Sequence, residues 1–264
     1  MSDYIRVCEE AVRAGGAVVQ QWVGRCEGRE KGPADLVTEA DLAAQEAIRD
    51  IVLGAFPGHR FVGEEDISSD ANRSSAFRWI ADPLDGTTNY VHRVPHYSVS
   101  LALEHEAELL AGAVFNPVDG ECFTAAKGAG AWLGGRPIRT SEVEDLSGAL
   151  AVVGFPPKAP PESPDVQVFL AALQQCQAIR RTGSAALNLC YLAAGRFDVY
   201  WSFSTKVWDV AAGVLIVREA GGTVTGPRGG PFQLDTGQFL AAANDPLHTE
   251  LREMVDEACV PEAG

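Results

Sequence analysis

Along the first part of the chain, Ile5, Cys8, Val12, Gly15, Val19 and Trp22 recur at helical spacing. That pattern predicts an opening amphipathic helix. Gly15-Gly16 weakens it intrinsically and marks close packing against another element. Lys31-Gly32-Pro33 reads as a loop. Thr38, followed three residues later by Asp41, has the form of a capping box. Ala44, Ala47, Ile48, Ile51 and Ala55 carry that second helix to Pro57. Residues 60–63 form a short apolar strand that runs into Glu64-Glu65-Asp66. Trp79-Ile80-Ala81 reads as a buried strand that stops at Asp82-Pro83, after which Asp85-Gly86 turns the chain. Val99, Leu101 and Leu103 alternate with Ser98, Ser100 and Ala102, the pattern of a half-buried strand. Residues 109–115 and 121–126 are two more strands, joined at Asp119-Gly120, and residues 131–133 add an edge strand.

Near Thr140 the pattern changes, and strands and helices alternate. Residues 149–153, 197–201 and 238–243 read as strands. Helices run through Val166, Phe169, Leu170 and Leu173, over 185–194, over 207–220 and over 246–258. The third of these is nearly all apolar and therefore buried, and Gly221-Gly222 ends it. Residues 158–164, close to Pro156, Pro157, Pro160 and Pro161, read as an exposed loop. The expected organisation is an α+β half over 1–140, with helices on an antiparallel sheet, and an α/β half over 141–264.

Composition narrows the function. The formal net charge of −15 argues against binding to nucleic acid or to an anionic membrane surface. No apolar run is long enough to span a bilayer and the start is polar, so the cytoplasm is expected. The six cysteines (Cys8, Cys26, Cys122, Cys176, Cys190 and Cys259) show no paired spacing and read as small core residues in a reducing compartment.

Asp82 and Asp85 stand three residues apart at a strand end, where both can face one point. Such a pair suits a hard cation that takes oxygen ligands. The amides of Gly86, Thr87 and Thr88, where the turn enters a helix, suit phosphate oxygens. Glu64 is placed to reach the same point. Asp209 is an acid against an otherwise apolar helix, which is costly unless it is paired or metal-bound. On spacing alone, Asp41 is a first-turn acid favoured by the helix dipole.

The run Asp82-Pro83-Leu84-Asp85-Gly86-Thr87-Thr88-Asn89 resembles the signature of the inositol monophosphatase family of magnesium-dependent, lithium-sensitive phosphatases. Gly63-Glu64-Glu65 matches the family's G-E-E motif, and Trp208-Asp209-Val210-Ala211-Ala212-Gly213 its second signature. Residues 180–188 and 219–222 also match, so the resemblance runs from about Asp35 to the last helix. It implies a layered α-β-α-β-α sugar-phosphatase fold, a phosphoric monoester hydrolase with two or three Mg²⁺ ions, and a homodimer. Glu64, Asp82, Asp85, Asp209 and the Leu84 carbonyl would be metal ligands, with Asp85 bridging two ions. Asp41 would accept a hydrogen bond from Thr87, which orients the attacking water, and Glu65 would assist less directly. Attack would be in line, without a phosphoenzyme.

The substrate pocket implied by the resemblance includes Gly183-Ser184-Ala185 and the phosphate turn at Gly86, Thr87 and Thr88, with Asp85 and Asp209 beside it. A family glutamate seven residues before Asp209 contacts ring hydroxyls, and here that place is Ser202. The change removes a carboxylate acceptor, worth ~1 kcal/mol or roughly fivefold in affinity. Trp201, Lys206 and Arg181 are further candidates for the pocket wall or its entrance. Inositol 1-phosphate is the first expected substrate. Histidinol phosphate, 3′-phosphoadenosine 5′-phosphate and fructose 1,6-bisphosphate are the rivals, and a non-catalytic partner-binding protein on the same fold is the rival of another class.

Overall fold

The computed structural model describes residues 2–25, 28–32, 35–65, 72–156 and 158–259. Helix α1 (Ser2–Trp22) precedes a small antiparallel hairpin of β1 (Arg29–Gly32) and β2 (Asp35–Val37). Lys31 and Gly32 therefore belong to a strand, stabilised by pairing rather than by propensity; Pro33 lies outside the described residues. Helix α2 (Glu39–Ala55) opens with the expected capping box between Thr38 and Asp41.

The first large sheet has seven strands in chain order: β3 (Arg60–Gly63), β4 (Phe77–Asp85), β5 (Ser98–His105), β6 (Glu108–Asn116), β7 (Glu121–Ala126), β8 (Ala131–Leu133) and β9 (Arg136–Pro137). The short helix α3 (Thr87–Val91) connects β4 to β5. Neighbours are antiparallel except β3 and β4, which run parallel. That exception brings Glu64, which follows β3, beside Asp82 of β4.

The second half supplies β10 (Leu150–Val153), α4 (Pro164–Gln175), β11 (Ala178–Arg180), α5 (Ala185–Ala193), β12 (Val199–Ser202), α6 (Val207–Glu219), β13 (Thr223–Thr225), β14 (Phe239–Ala242) and α7 (Asp245–Ala258). Its five-stranded sheet has the order β11-β10-β12-β14-β13 and is mixed. The short strands β11 and β13 carry too few apolar positions to announce themselves by pattern. Pro164 opens α4 rather than ending the preceding loop, a position its fixed φ and missing N–H suit.

Helices α1 and α2 cover one face of the seven-stranded sheet through Val7, Val12, Ile48, Trp79 and Leu101. Its other face meets α5 and α6 through Ile80, Ala102, Phe123, Leu187 and Val214. Those helices also pack on the inner face of the five-stranded sheet, whose outer face is closed by α4 and α7. The layers are thus α-β-α-β-α. The strand expected to be half-buried, β5, is buried on both faces along most of its length. Its small positions, Ser98, Ser100 and Ala102, do not face water; they admit the helices of the middle layer. The approach there is close: a Cβ on Gly112 would lie 3.1 Å from the Ala212 Cα of α6. The Gly15-Gly16 pair plays the same part in α1, where a Cβ on Gly16 would meet the Phe115 ring at 2.4 Å.

Among the described residues no helix is long and apolar enough to cross a membrane. Cys8, Cys122 and Cys190 are buried free thiols in the core, as expected, whereas Cys259 is exposed; Cys26 lies outside the described residues.

At the edge of the first sheet, His59 stacks on Phe77 with ring centres 4.5 Å apart. Its Nδ1 accepts the indole N–H of Trp79 at 3.0 Å, which requires that nitrogen to be unprotonated. Burial, helped by the neighbouring His105, lowers its pKa below the ordinary histidine value. A lowered histidine pKa means that the unfolded chain binds more protons. Its stabilising share is therefore present above about pH 6.5 and is lost as the pH falls toward the folded-state value. The stability difference between the wild type and His59→Gln, in which the opposing share of the raised cleft carboxylates cancels, should shrink between about pH 7.5 and 5.5 when read by urea unfolding. A difference that does not change with pH would show that His59 carries no such share.

Candidate active site

One cleft of about 240 Å³, at the small end for small-molecule sites, lies where the two halves meet. Glu64, Asp82, Leu84, Asp85 and Asp209 line it, together with Gly86, Thr87, Gly183, Ser184, Ala185 and Ser202. Asp41, Glu65 and Thr88 are not in its lining. Asp41 reaches it through Thr87, Thr88 is exposed, and the Glu65 N–H donates to Gln45 at 3.0 Å.

The local backbone explains the convergence. Strand β4 does not stop at Asp82 but continues to Asp85, with a register shift against β5 between those two residues. Asp82 pairs with Ser100 and Asp85 with Ser98, so β4 carries one residue more than β5 across this interval. Pro83, which has no N–H to lose, fits such a bulge. The Leu84 N–H turns back to Asp82 Oδ1 at 3.0 Å. Gly86 then adopts φ +97, and a Cβ there would sit 3.2 Å from the carbonyl oxygens of Gly183 and His96. Only glycine meets both demands without strain.

Asp85 is the most constrained of the acids. Its Oδ1 accepts the Ala185 N–H at 3.0 Å, and its Oδ2 accepts the Ala186 N–H at 2.8 Å and the Ser98 hydroxyl at 3.2 Å. The Ser184 hydroxyl donates to Oδ2 as well. A strand-end carboxylate of the first half thus caps the first turn of α5 in the second. Asp209, in the first turn of α6, accepts the Lys206 N–H at 2.7 Å.

Electrostatically the cleft is strained. Burial raises Asp82 well above the carboxylate range, and the charges of Glu64, Asp85 and Asp209 raise it further. Asp209 is pushed up to about 8, by burial first and then by Asp85 and Glu64. Burial also raises Asp85, against the pull of its four donors. Asp41 is pushed up to about 6, mainly by burial, although Thr38 donates to it through both its N–H and its hydroxyl. The Thr87 hydroxyl lies 3.0 Å from the Leu84 carbonyl and 3.3 Å from Asp41 Oδ1, so its single proton serves one acceptor at a time.

This donor set is hard, anionic and oxygen-only, which is the chemistry of a Mg²⁺ site. A divalent cation removes the mutual repulsion that raises Asp82 and Asp209. The acids do not stand as a finished cage: among the described residues no three Asp, Glu, His or Cys are gathered closely enough to hold an ion, each of Asp82, Asp85 and Asp209 being bonded to its own chain instead.

The structure also sorts the remaining candidates. Arg181 lines the cleft; Lys206 and Trp201 do not, and Trp201 is packed in the outer core beneath α7. Ser202 is fully buried at the cleft, with no hydrogen-bond partner for its hydroxyl. Two contributors were not singled out from the sequence. Ser98 holds Asp85, and Asn89 donates from α3 to the carbonyls of Thr182 (2.8 Å) and His96 (2.7 Å). Asn89 could have been found, because it closes the Asp82–Asn89 run; Ser98 was hidden by an alternation that suggested solvent.

The layered fold and an acidic cleft at strand ends define a class of α/β proteins with an oxygen-rich site between two sheets. Within that class the chain belongs to the inositol monophosphatase family, whose profile matches residues 1–258. It is 41% identical to an inositol-1-monophosphatase of Rhizobium meliloti over 226 residues, covering 85% of this chain and 84% of that one. It is 38% identical to the Nus factor SuhB of Pasteurella multocida, covering 92% of each chain. The crystal structure of the extragenic suppressor protein suhB from Bartonella henselae superposes with a TM-score of 0.91 at 34% identity, covering 97% of this chain and 99% of that one.

The crowding of charge has a measurable consequence. Asp82→Asn keeps an acceptor for the Leu84 N–H while removing the charge that faces all three other acids. The metal-free variant should be more thermally stable than the wild type, by roughly 2–4 °C for each kcal/mol of repulsion relieved. Added Mg²⁺ should stabilise the wild type and leave the variant nearly unmoved. Differential scanning calorimetry with and without Mg²⁺ reads both. A metal-free variant melting below the wild type would refute the repulsion account.

Proposed function

We propose that this chain is a Mg²⁺-dependent phosphoric monoester hydrolase acting on a small phosphate ester, with inositol 1-phosphate the first candidate. The observation that carries this reading is the convergence of Glu64, Asp82, Asp85 and Asp209, from two strand ends and a helix start, on one cleft beside the Gly86-Thr87 turn. Glu64, Asp82, Asp209 and the Leu84 carbonyl would hold the ions. When bound, Mg²⁺ supplies positive charge against the phosphate and a water that is nucleophilic at neutral pH.

Asp82 would be freer than Asp85 to reach the ions. A carboxylate offers about four lone-pair positions. Three donors already crowd Asp85 Oδ2 and one occupies Oδ1, whereas Asp82 Oδ1 takes a single N–H. Asp82 is also the group that feels the charges of all three other acids. Asp85 keeps at most one contact and mainly fixes the wall of the pocket.

Thr87 orients the water. Its proton goes to the Leu84 carbonyl or to Asp41, so its lone pairs remain to accept a proton from a water above the turn. Asp41, held by Thr38, fixes Thr87 and acts through it. The Gly86 and Thr87 amides hold the phosphate. A homodimer is the expected assembly, to be checked by sedimentation.

Ser202 keeps the substrate open. Phosphate release with Mg²⁺ across inositol 1-phosphate, histidinol phosphate, 3′-phosphoadenosine 5′-phosphate and fructose 1,6-bisphosphate tests the reading. Inositol 1-phosphate turned over no faster than p-nitrophenyl phosphate would remove it as first choice. Ser202→Glu should raise the preference for inositol 1-phosphate roughly fivefold, the worth of one polar contact. Thr87→Val should lower kcat by about 10²–10⁴ with little change in KM, the range for losing a positioned proton-handling group. Steady-state kinetics would decide, and a Thr87→Val enzyme with unaltered kcat would end the role given to Thr87.

A second reading has one observation behind it: relatives carry the name Nus factor SuhB. On that reading the fold works by binding a protein partner. An Asp85→Asn variant without phosphatase activity that still rescues a deletion strain would favour it.

A further inference from the structure

Helix α2 turns two polar side chains, Asp41 and Gln45, inward among Ala44, Ile48 and Val52. Asp41 meets Thr87; Gln45 lies one helical turn further on and is 6% exposed. A buried amide is costly unless its polar atoms are bonded. Gln45 Oε1 accepts the Glu65 N–H at 3.0 Å. The turn after β3 is shaped to receive it: a Cβ on Gly63 would lie 2.0 Å from that same oxygen, so the amide fills the space of a side chain at position 63. One residue before Glu65, the Glu64 N–H donates to the Ala81 carbonyl at 3.1 Å. The peptide groups on either side of the Glu64 Cα are therefore both tied, one to β4 and one to α2. Each peptide group is planar, so fixing both sets φ and ψ at Glu64 and with them the direction in which its side chain leaves the backbone. That side chain lines the cleft.

We infer that Gln45 is a positioning residue for Glu64: from behind the cleft it holds the turn after β3 so that the Glu64 carboxylate is presented to the proposed Mg²⁺ site. The inference rests on the phosphatase reading above and deepens it. Gln45 acts through Glu64, because its one printed bond is to the backbone of the turn and it is not part of the cleft lining. The helix makes the contact part of a larger arrangement. Asp41 and Gln45 are four residues apart and so share one face of α2. Asp41 reaches Thr87, which follows β4, and Gln45 reaches the turn that follows β3. One helix face thus sets where a proposed metal ligand stands relative to the proposed water-orienting hydroxyl. An amide suits this place. It supplies an acceptor without adding a charge to a cleft in which Asp82 and Asp209 are already raised by neighbouring acids.

The test is Mg²⁺ affinity of the full-length protein by isothermal titration calorimetry, read beside phosphate release. Gln45→Met keeps the length of the side chain and removes the acceptor. It should weaken Mg²⁺ binding by about tenfold, the lower end of the effect of losing a group that orients a metal ligand. Gln45→Glu, which keeps an acceptor for the Glu65 N–H, should restore most of the affinity. In Gln45→Met kcat should fall at low Mg²⁺ and largely recover in excess, with KM for the ester unchanged. In a Glu64→Gln background Gln45→Met should add no further loss of affinity, because the two residues act as a unit. Thermal melting without metal separates damage to the fold. A lower melting temperature with unaltered Mg²⁺ affinity would show that Gln45 serves stability alone and overturns the inference, and so would losses that add in the Glu64→Gln background. Should Gln45→Met fail to fold, Gln45→Ala, which leaves space rather than a buried thioether, is read in the same way. Mg²⁺ affinity that depends on Gln45, without phosphate release by the wild type from any ester, would count against the phosphatase reading and uphold this one. A wild type that binds no Mg²⁺ overturns both.

Discussion

The cleft depends on one buried carboxylate. Asp85 ends strand β4 of the first half, yet its donors come mostly from the first turn of α5 in the second half. A carboxylate in that position, without donors, would cost several kcal/mol. The first-turn amides of α5, without an acceptor, would be orphaned as well. Each half supplies what the other lacks, and the contact fixes where the two sheets meet. Glu64, Asp82 and Asp209 are brought into range of one another by this junction and by the close seat of α6 on β6 at Gly112 and Ala212. The arrangement holds acids together against their own repulsion, and packing elsewhere in the middle layer offsets it.

Small residues make that packing possible. Ala102 of β5 and Gly112 of β6 face the middle layer, and α6 answers with Ala211, Ala212 and Gly213. Larger side chains would push α6 outward and carry Asp209 away from β4. In this fold the smallness of residues far from any substrate sets the distance between groups that would hold the ions. The bulge at Pro83 and the positive φ of Gly86 complete the geometry at the strand end, where the chain must place two acids and then turn sharply.

Much of this was legible in the sequence, for a physical reason. Helices α1, α2, α6 and α7 and the strands β4 to β7 have long or regular apolar patterns, and the run from Asp82 to Asn89 is dense in residues of restricted conformation. Local chemistry dictates local structure there, so Glu64, Asp82, Asp85 and Asp209 could be named before their convergence was seen. The failures share a cause as well. Strand β4 was cut short because Asp82-Pro83 normally ends a strand, and a bulge let it continue. Strand β5 was taken as half-exposed because serine and alanine alternate with leucine and valine; only a second layer of helices, contributed by residues about a hundred positions away, turns those small positions inward. Strands β11 and β13 are three residues each and owe their existence to pairing partners. Where the partner is distant in sequence, periodicity along one segment carries no signal of it.

The same distinction separates the chemistry of the site from its selectivity. The acids, the Gly86 turn and Thr87 sit mostly on contiguous stretches, from Asp41 to Asn89, with Asp209 added across the junction. The opposite wall is assembled from Phe155, Arg181 and Ser202, each following or ending a different strand of the second sheet. The two meet where Gly183 approaches Gly86 and where the first turn of α5 holds Asp85. Ser202 and the Arg181 guanidinium braced against Phe155 lie on the wall itself and are not bonded to any of the four acids. The wall is accordingly the part of the molecule from which the substrate of this chain has to be read.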